Sequence, residues 1–459
     1  MQGLGGGMSN VAPPSALSSL QARFAILDIA GDIRVVDLDK IHAHLQGALE
    51  GEIGMYKKQD AELKMKRHLE ALATSSNPRQ VIADFWISPA TVEYKATAFS
   101  PNNKSPSVLN FWVGPVPKPQ PGNWVVLRDF MKDVICGSQE EAYSYLIQYM
   151  AHMVQKPEEK PGIIVTLIGG QGTGKGVYFS LLRAIWKSTT IQVSTLDHIV
   201  GRFNAILERN YVICMDEALF AGDRRSLDRM KSMITEPNVM IEQKLQPVRS
   251  IESVHRFFAA SNHDHFANVE ADDRRFVFFR VSDKHQEDLA YFAALHAAID
   301  DPAVIAAMVH DLLAIDLSGF NVRERPKTEE HTKQKLQSLQ GFDRYWHEVL
   351  QSGDFHPGSG CSPCDPWDGP VFVSTSTLQR GWQEYAKGVR QFAPQQVRDI
   401  HQAMKRLCPA AKKDRPQVRN RQERGYQLPA LSVARGTFAA AIGGHVDWSF
   451  DDDGAADGS

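Results

Sequence analysis

The chain has 459 residues, 43% of them hydrophobic, enough for two or three cores rather than one. Its formal net charge is −3, from 51 Lys and Arg against 54 Asp and Glu, so the molecule as a whole is no polyelectrolyte partner for nucleic acid and any DNA contact must come from local patches. Cys136, Cys214, Cys361, Cys364 and Cys408 are too sparse and odd in number for a disulfide framework, and neither a signal-like start nor a long apolar run occurs; secretory and membrane classes drop out and the cytoplasm is the expected compartment.

Residues 1–21, rich in Gly, Ser, Pro and Ala without periodicity, predict a mobile leader. RFAILDI and IRVVDL around a short AGD turn predict a β-hairpin starting near Arg23, and Ile41 to about Leu72 reads as helix. Prolines between Phe85 and Val126 predict extended segments and turns. Amphipathic helices resume between Trp124 and Val154, where Tyr143, Tyr145, Leu146, Tyr149 and Met150 recur at helical spacing as a core stripe. Residues 22–160 thus form an N-terminal region, closed by QKPEEKPG at 155–162, which reads as a linker.

From Ile163 the runs GIIVTLI, TIQVS, YVICMD, HRFFAASN and RFVFFRV alternate with helical stretches, the pattern of a parallel sheet covered on both faces. This domain is assigned to 161–321. A polar bridge and a Gly, Pro and Cys-rich loop occupy 322–371, mixed helix and strand signals fill 372–448, and an acidic tail ends the chain at 449–459.

IIVTLIGGQGTGKG carries Gly169, Gly174 and Lys175 in the GxxxxGK spacing between an apolar strand and a helix. Glycines let the backbone curl so that its N–H groups face a triphosphate, the helix N-terminus adds partial positive charge, and Lys175 supplies a compact cation. Gly169, Gly170, Gln171, Gly172, Thr173, Gly174, Lys175 and Gly176 are the expected cradle for ATP. The position after the lysine is Gly176, followed by Val177, where a hydroxyl would ordinarily meet Mg2+, so the ion needs a water there.

Asp216 and Glu217 stand at the exit of the strand YVICMD, where Asp216 holds the metal through water and Glu217 polarises the attacking water. Asn262, at the end of HRFFAASN, is the candidate that orients this water without opposing phosphate charge. His263, Asp264 and His265 read as a solvated turn rather than a metal site. Arg274 and Arg275, before the next strand, are candidates for an arginine acting on a neighbouring subunit's nucleotide, with Arg275 favoured because Arg274 can pair with Asp272 or Asp273.

In the order GGQGTGKG, GRFNAIL, YVICMDEALFAGD, KSMITEPNVMIEQK, HRFFAASN, DDRRF, the sequence resembles the superfamily 3 helicase domain of phage and plasmid primase-helicases, related to the poxvirus-type primase-helicases. The resemblance covers roughly residues 85–345. It implies an AAA+-like α/β core, three layers around a parallel sheet, with P-loop chemistry, ATP and Mg2+ as cofactors, and a homo-hexamer translocating on single-stranded or forked DNA. It also implies a DNA-gripping hairpin around IEQKLQPVR with Lys244 in the channel; Lys231 and Arg202 lie in resembling segments without an assigned role. No primase module is present, so a separate primase or polymerase is an implied partner.

Similar proteins often end in a small winged-helix-like DNA-binding module, and the C-terminal region, basic at Lys405, Arg406, Lys412, Lys413, Arg415, Arg419, Arg421 and Arg424, is compatible with one. Cys361 and Cys364 form a lone CxxC without a second pair, which argues against zinc. Two other functions stay open: a nucleotide kinase, which needs an acceptor pocket and a lid, and an ATP-binding DNA scaffold or initiator whose hydrolysis has decayed at Gly176 and Val177.

Overall fold

The computed structural model describes residues 15–29, 31–48, 53–73, 75–216, 224–242, 248–262, 273–326, 328–357, 367–389, 396–418 and 421–448. Order begins earlier than the composition suggests. Ser15 accepts from the Ser18 amide and caps α1 (Ala16–Arg23), which buries Leu20, so the predicted leader through residue 21 gives way to helix. The expected hairpin follows as β1 (Phe24–Ile29) and β2 (Asp32–Asp37), antiparallel from Phe24↔Asp37 to Ile29↔Asp32.

Then come α2 (Leu38–Leu45), β3 (Met55–Lys57), α3 (Lys58–Ala71), α4 (Pro78–Ile87) and β4 (Glu93–Tyr94). Strands β3-β2-β1-β4 make one sheet, and the two-residue period of its strands divides two cores. Phe24, Ile26 and Val35 bury against Met65, Leu69 and Phe85 of α3 and α4, while Ala25, Leu27 and Val36 enter the main core of the molecule. Short strands β5 (Ala96–Ala98) and β6 (Val108–Asn110), α5 (Val125–Asp129) running into a π-turn at Phe130–Ile135, and α6 (Glu140–Gln155) complete this part. The aromatic stripe of α6 is core: Tyr145, Leu146, Tyr149 and Met150 are buried, and Tyr149 meets Phe258 edge-on at 6.0 Å.

The central domain runs β7 (Ile164–Ile168), α7 (Lys175–Ile185), β8 (Thr190–Val193), α8 (Asp197–Val200), β9 (Val212–Asp216), α9 (Arg224–Thr235), β10 (Asn238–Ile241), β11 (Arg249–Glu252), β12 (Arg256–Ser261), β13 (Phe276–Arg280), α10 (Leu289–Asp300) and α11 (Pro302–Ala314). Its sheet is parallel throughout, in the order β13-β7-β12-β9-β8. Both faces are covered: Val165, Leu167, Phe258 and Phe279 join α6, α7 and α11 on one side, and Ile164, Ile213, Phe257 and Phe278 join α8 and α9 on the other. No single helix among the described residues is long and apolar enough to cross a membrane; α10 and α11 pass such a test only as a pair, and they bend by 76°.

The 155–162 segment is not the free linker its prolines suggest. Arg256, fully buried at the start of β12, donates to the carbonyls of Lys156 (3.1 Å), Glu159 (2.7 Å) and Val254 (2.9 Å) and lies over the Tyr211 ring. Lys160 reaches the Met233 carbonyl at the end of α9 (2.7 Å) and the Ser253 hydroxyl (2.6 Å). The N-terminal region and the central sheet therefore share one core across a strapped turn.

His255 extends this network: its Nε2–H donates to the Leu207 carbonyl (2.8 Å) and its Nδ1 accepts from Ser253 (2.9 Å), which assigns the neutral tautomer. Burial, with the Lys160 and Arg256 charges, pushes its pKa down to about 4 from 6.5. A base with a depressed folded pKa contributes stability that is complete above pH 6.5 and is lost as pH falls toward 4, on the order of 3 kcal/mol across that window. Urea midpoints between pH 7 and pH 4.5 should fall less steeply in His255→Gln than in wild type; equal slopes would clear His255 of this role.

Helix α12 (Glu329–Gln337) packs against β13, with Thr328 donating to the Phe278 carbonyl (2.9 Å) and Glu330 pairing with Arg280 (3.4 Å). Beyond it α13 (Gly341–Ser352), β14 (Val371–Ser374), α14 (Thr375–Gly388), α15 (Val397–Leu407), β15 (Lys412–Asp414), β16 (Gln417–Val418), β17 (Arg421–Gln422), β18 (Gly425–Leu428) and α16 (Leu431–Ile442) form a separate core. It begins before the expected boundary at 372, because Phe342, Tyr345, Trp346, Val349 and Leu350 of α13 are buried against α14 and α15. The sheet order β14-β18-β15 is antiparallel, with β16 and β17 a small hairpin between β15 and β18. The acidic tail at 449–459, Cys361, Cys364 and Arg419 lie outside the described residues.

Candidate functional site

Strand β7 ends at Ile168 and the glycine-rich turn follows at once. Gly172 (φ 76°) and Gly174 (φ 104°) adopt left-handed conformations that glycine tolerates, and a Cβ on Gly174 would press on Phe130 and Phe292 at 3.1 and 3.2 Å. Lys175, the first residue of α7, is buried, its ammonium donating to the carbonyls of Gly169 (2.7 Å) and Gly170 (2.6 Å). Thr173 closes the turn onto Gly170 (2.9 Å), and Gln286, from the segment after β13, donates to the Gln171 carbonyl (2.9 Å). The turn thus presents a helix N-terminus and a cation from one compact loop, a geometry suited to an anion with several oxygens. A Cβ on Gly176 would meet nothing within 4 Å, so lack of space does not account for the missing hydroxyl.

Asp216 ends β9, level with Ala260 of β12, while Ser261 is level with Ile168. Asp216 therefore leaves the same carboxyl edge as the glycine-rich turn, one strand away, about 10 Å between the strand axes. Gln192 of β8 donates to its carboxylate (3.0 Å). Asn262 follows Ser261 in the intervening strand, whose carbonyl accepts from the Gly169 amide (3.2 Å), which brings Asn262 between the turn and Asp216. Glu217 and Lys244 lie outside the described residues, as do His263, Asp264 and His265. Among the described residues no group of three His, Cys, Asp or Glu side chains could hold a metal.

The arginines stand elsewhere. Arg274 and Arg275 precede β13 and so occupy the amino edge of the sheet, about 16 Å of strand from the turn in the same chain. The preference between them reverses: Arg275 pairs with Asp273 (3.2 Å), which is buried and also holds Lys231 of α9 (3.2 Å), whereas Arg274 is exposed. Asp273 faces back along its own turn, so the ion pair falls to the second arginine and not the first.

Strands β10 and β11 form the expected hairpin, registered from Asn238↔Glu252 to Ile241↔Arg249. Its loop end is held by Asn204, which donates to the Met240 carbonyl (2.9 Å) and accepts from the Glu242 amide (3.0 Å), and by Arg202 on Glu242 (2.6 Å). In the C-terminal module Lys405 and Lys413 are exposed, and Lys413 is paired with Tyr426, whose hydroxyl meets His401 one turn before Lys405. Lys412, its neighbour in a strand, faces the opposite way, and Arg406 pairs with Asp343 of α13 (2.5 Å). Gln192, Gln286 and Asn204 carry no local sequence signal, since each acts on a partner distant in the chain.

Fold and site together define a mixed α/β protein in which a glycine-rich turn and an acidic strand end share one edge of a parallel sheet, with a helix-and-hairpin module appended. The DNA Primase-polymerase of Nitratiruptor phage NrS-1 is 28% identical over 134 residues, a stretch that is 28% of this chain and 18% of that protein, so less than a fifth of the relative's length is matched. The apo structure of the NrS-1 C-terminal region (305–718) superposes with a TM-score of 0.61 at 14% identity, covering 90% of this chain and 97% of that one. A second apo form of the same region gives 0.61 at 13% identity, covering 90% and 98%. A family of unknown function (DUF5906) matches residues 167–275, from the glycine-rich turn to Arg275.

Proposed function

We propose that this protein is an ATP-driven motor on DNA, a helicase of the superfamily 3 kind with an AAA+-like core, acting in the replication of a phage, plasmid or similar element. The observation that carries the reading is the shared carboxyl edge of Lys175 and Asp216, with the strand bearing Asn262 between them. The order β13-β7-β12-β9-β8 supports it, because the interposed strand leads into Asn262, an uncharged amide between the glycine-rich turn and Asp216. Similarity to a phage primase-polymerase and to the fold of its C-terminal region supports the replication role.

In this reading the turn 169–176 would hold the ATP phosphates through backbone amides and Lys175, and Asp216 would hold Mg2+, which would supply positive charge to the phosphates. Glu217 polarises the attacking water and Asn262 orients it. The exposed Arg274 is the residue offered to a neighbouring subunit in a homo-hexamer. The hairpin with Lys244 grips single-stranded or forked DNA, and a separate primase or polymerase lays down primers. A second reading, an ATP-binding DNA scaffold with weak hydrolysis, draws on Gly176, which leaves a metal oxygen to be supplied by solvent.

The discriminating measurement is strand displacement on a forked duplex with wild type and Asp216→Asn. ATP-dependent unwinding in wild type, reduced at least about 100-fold in the variant, is expected, since removing the metal's anchor forfeits preorganised charge stabilisation. Wild type that binds the fork but neither hydrolyses ATP nor separates strands would favour the scaffold.

A further inference from the structure

Helix α7 begins at the glycine-rich turn and ends about 16 Å away. Its far half borders two cavities of about 340 and 800 Å³ through Ser180, Arg183 and Ala184, and a third of about 400 Å³ adjoins the second. The first two share Arg183 and Lys187, and the last two share Pro117, Lys187 and Pro302, so the three make one groove. Its cations are Arg183, Lys187, Arg209 and Lys118, against Asp300 as the acid among the lining residues. That bias is foreign to a chain in which acids outnumber bases by 54 to 51.

Arg183 lies near the end of α7 and Lys187 just beyond it, in the short 3-10 turn that follows, and both are exposed. Ser180 and Asn210 add neutral donors, and no Phe, Tyr or Trp lines the groove. Such a surface recognises sugar-phosphate backbone and not bases. Each chamber has the volume of a small-molecule site, which admits one strand and not a duplex. The position is equally informative: Asn204 holds the loop end of the β10–β11 hairpin, and Arg209 and Asn210, a few residues on, line the first chamber.

We propose that the groove along α7 is a second nucleic-acid site, which holds the backbone of a single DNA strand as it leaves the hairpin. The proposal rests on the reading of the protein as a DNA motor, and it deepens that reading by giving the strand a path distinct from the nucleotide site.

The test is fluorescence anisotropy of the full chain with a labelled oligo-dT strand over a range of salt, comparing wild type with Arg183→Glu/Lys187→Glu. We expect at least tenfold weaker binding in the variant and a log–log salt slope shallower by about 1.4, two phosphate contacts' worth for a single strand, with ATP hydrolysis in the absence of DNA unchanged. Wild type that binds while the variant matches it in affinity and slope overturns the groove and leaves the motor reading standing. Wild type that binds no single strand sinks both. A labelled poly-glutamate peptide that binds wild type as tightly as oligo-dT and loses its affinity in the variant would make an acidic polypeptide the occupant and overturn the assignment. If the charge reversal lowers the melting temperature, Arg183→Gln/Lys187→Gln carries the comparison, and unaltered DNA binding there also overturns it.

Discussion

Lys175→Ala is expected to bind ATP ten- to a hundredfold more weakly than wild type and to lose hydrolysis altogether. The ammonium is buried in the turn and donates to the carbonyls of Gly169 and Gly170, so it is already desolvated and positioned where phosphate oxygens would replace those carbonyls. A hydrogen bond to a charged partner is worth about 1.5–3 kcal/mol, which covers the loss in affinity. The loss in rate is larger because charge on the transferring phosphoryl group is stabilised by the same cation. Equilibrium binding of a fluorescent ATP analogue and phosphate release measure the two separately. Wild-type affinity in the variant would mean that the turn is a structural feature and that nucleotide, if bound, sits elsewhere.

Arg256→Ala should be the most destabilising single change outside the site, about 3–5 kcal/mol. The side chain is 0% exposed, and its removal takes a donor from the carbonyls of Lys156, Glu159 and Val254 together while opening a void against Tyr211. Arg256→Lys should recover little, since an ammonium cannot span carbonyls that a planar guanidinium reaches with separate N–H groups. A urea midpoint and hydrogen exchange at residues 156–160 check this: the variant should unfold at markedly lower urea, with the strap exchanging faster than the rest of the sheet. Protection at 156–160 equal to wild type would remove Arg256 from the role of anchor. The same interaction explains why a segment composed like a linker is not one.

Much of the architecture was legible in local pattern. The register of β1 and β2 follows from alternation around a glycine turn, because a one-residue slip would turn Phe24, Ile26 and Val35 away from the core they fill. The stripe on α6 reads as core because helical spacing puts Tyr145 and Tyr149 on one face. The glycine-rich turn is visible because its residue types are required by its own backbone. Less could be read where a residue's partner is remote. Arg275 and Arg274 are equivalent in composition, and only the path of the chain before β13 commits the former to Asp273 and Lys231. Lys405, Arg406, Lys412 and Lys413 look like one basic run, yet helix and strand geometry sends them in different directions, one of them to Asp343.

The sequence by itself determined which segments of the central domain become strands and helices, where its backbone curls in a glycine-rich turn, and that the central sheet is parallel and buried on both faces, since each of these depends on periodicity and on conformational preferences within a few residues. The tertiary structure alone decided that β12 lies between β7 and β9, that Asp216 and Lys175 open onto one edge, that α13 belongs to the C-terminal core, and that Arg183 and Lys187 line a groove. Those outcomes depend on which distant surfaces meet, and the free energy that selects among such pairings is spread over whole faces and written in no single stretch of chain.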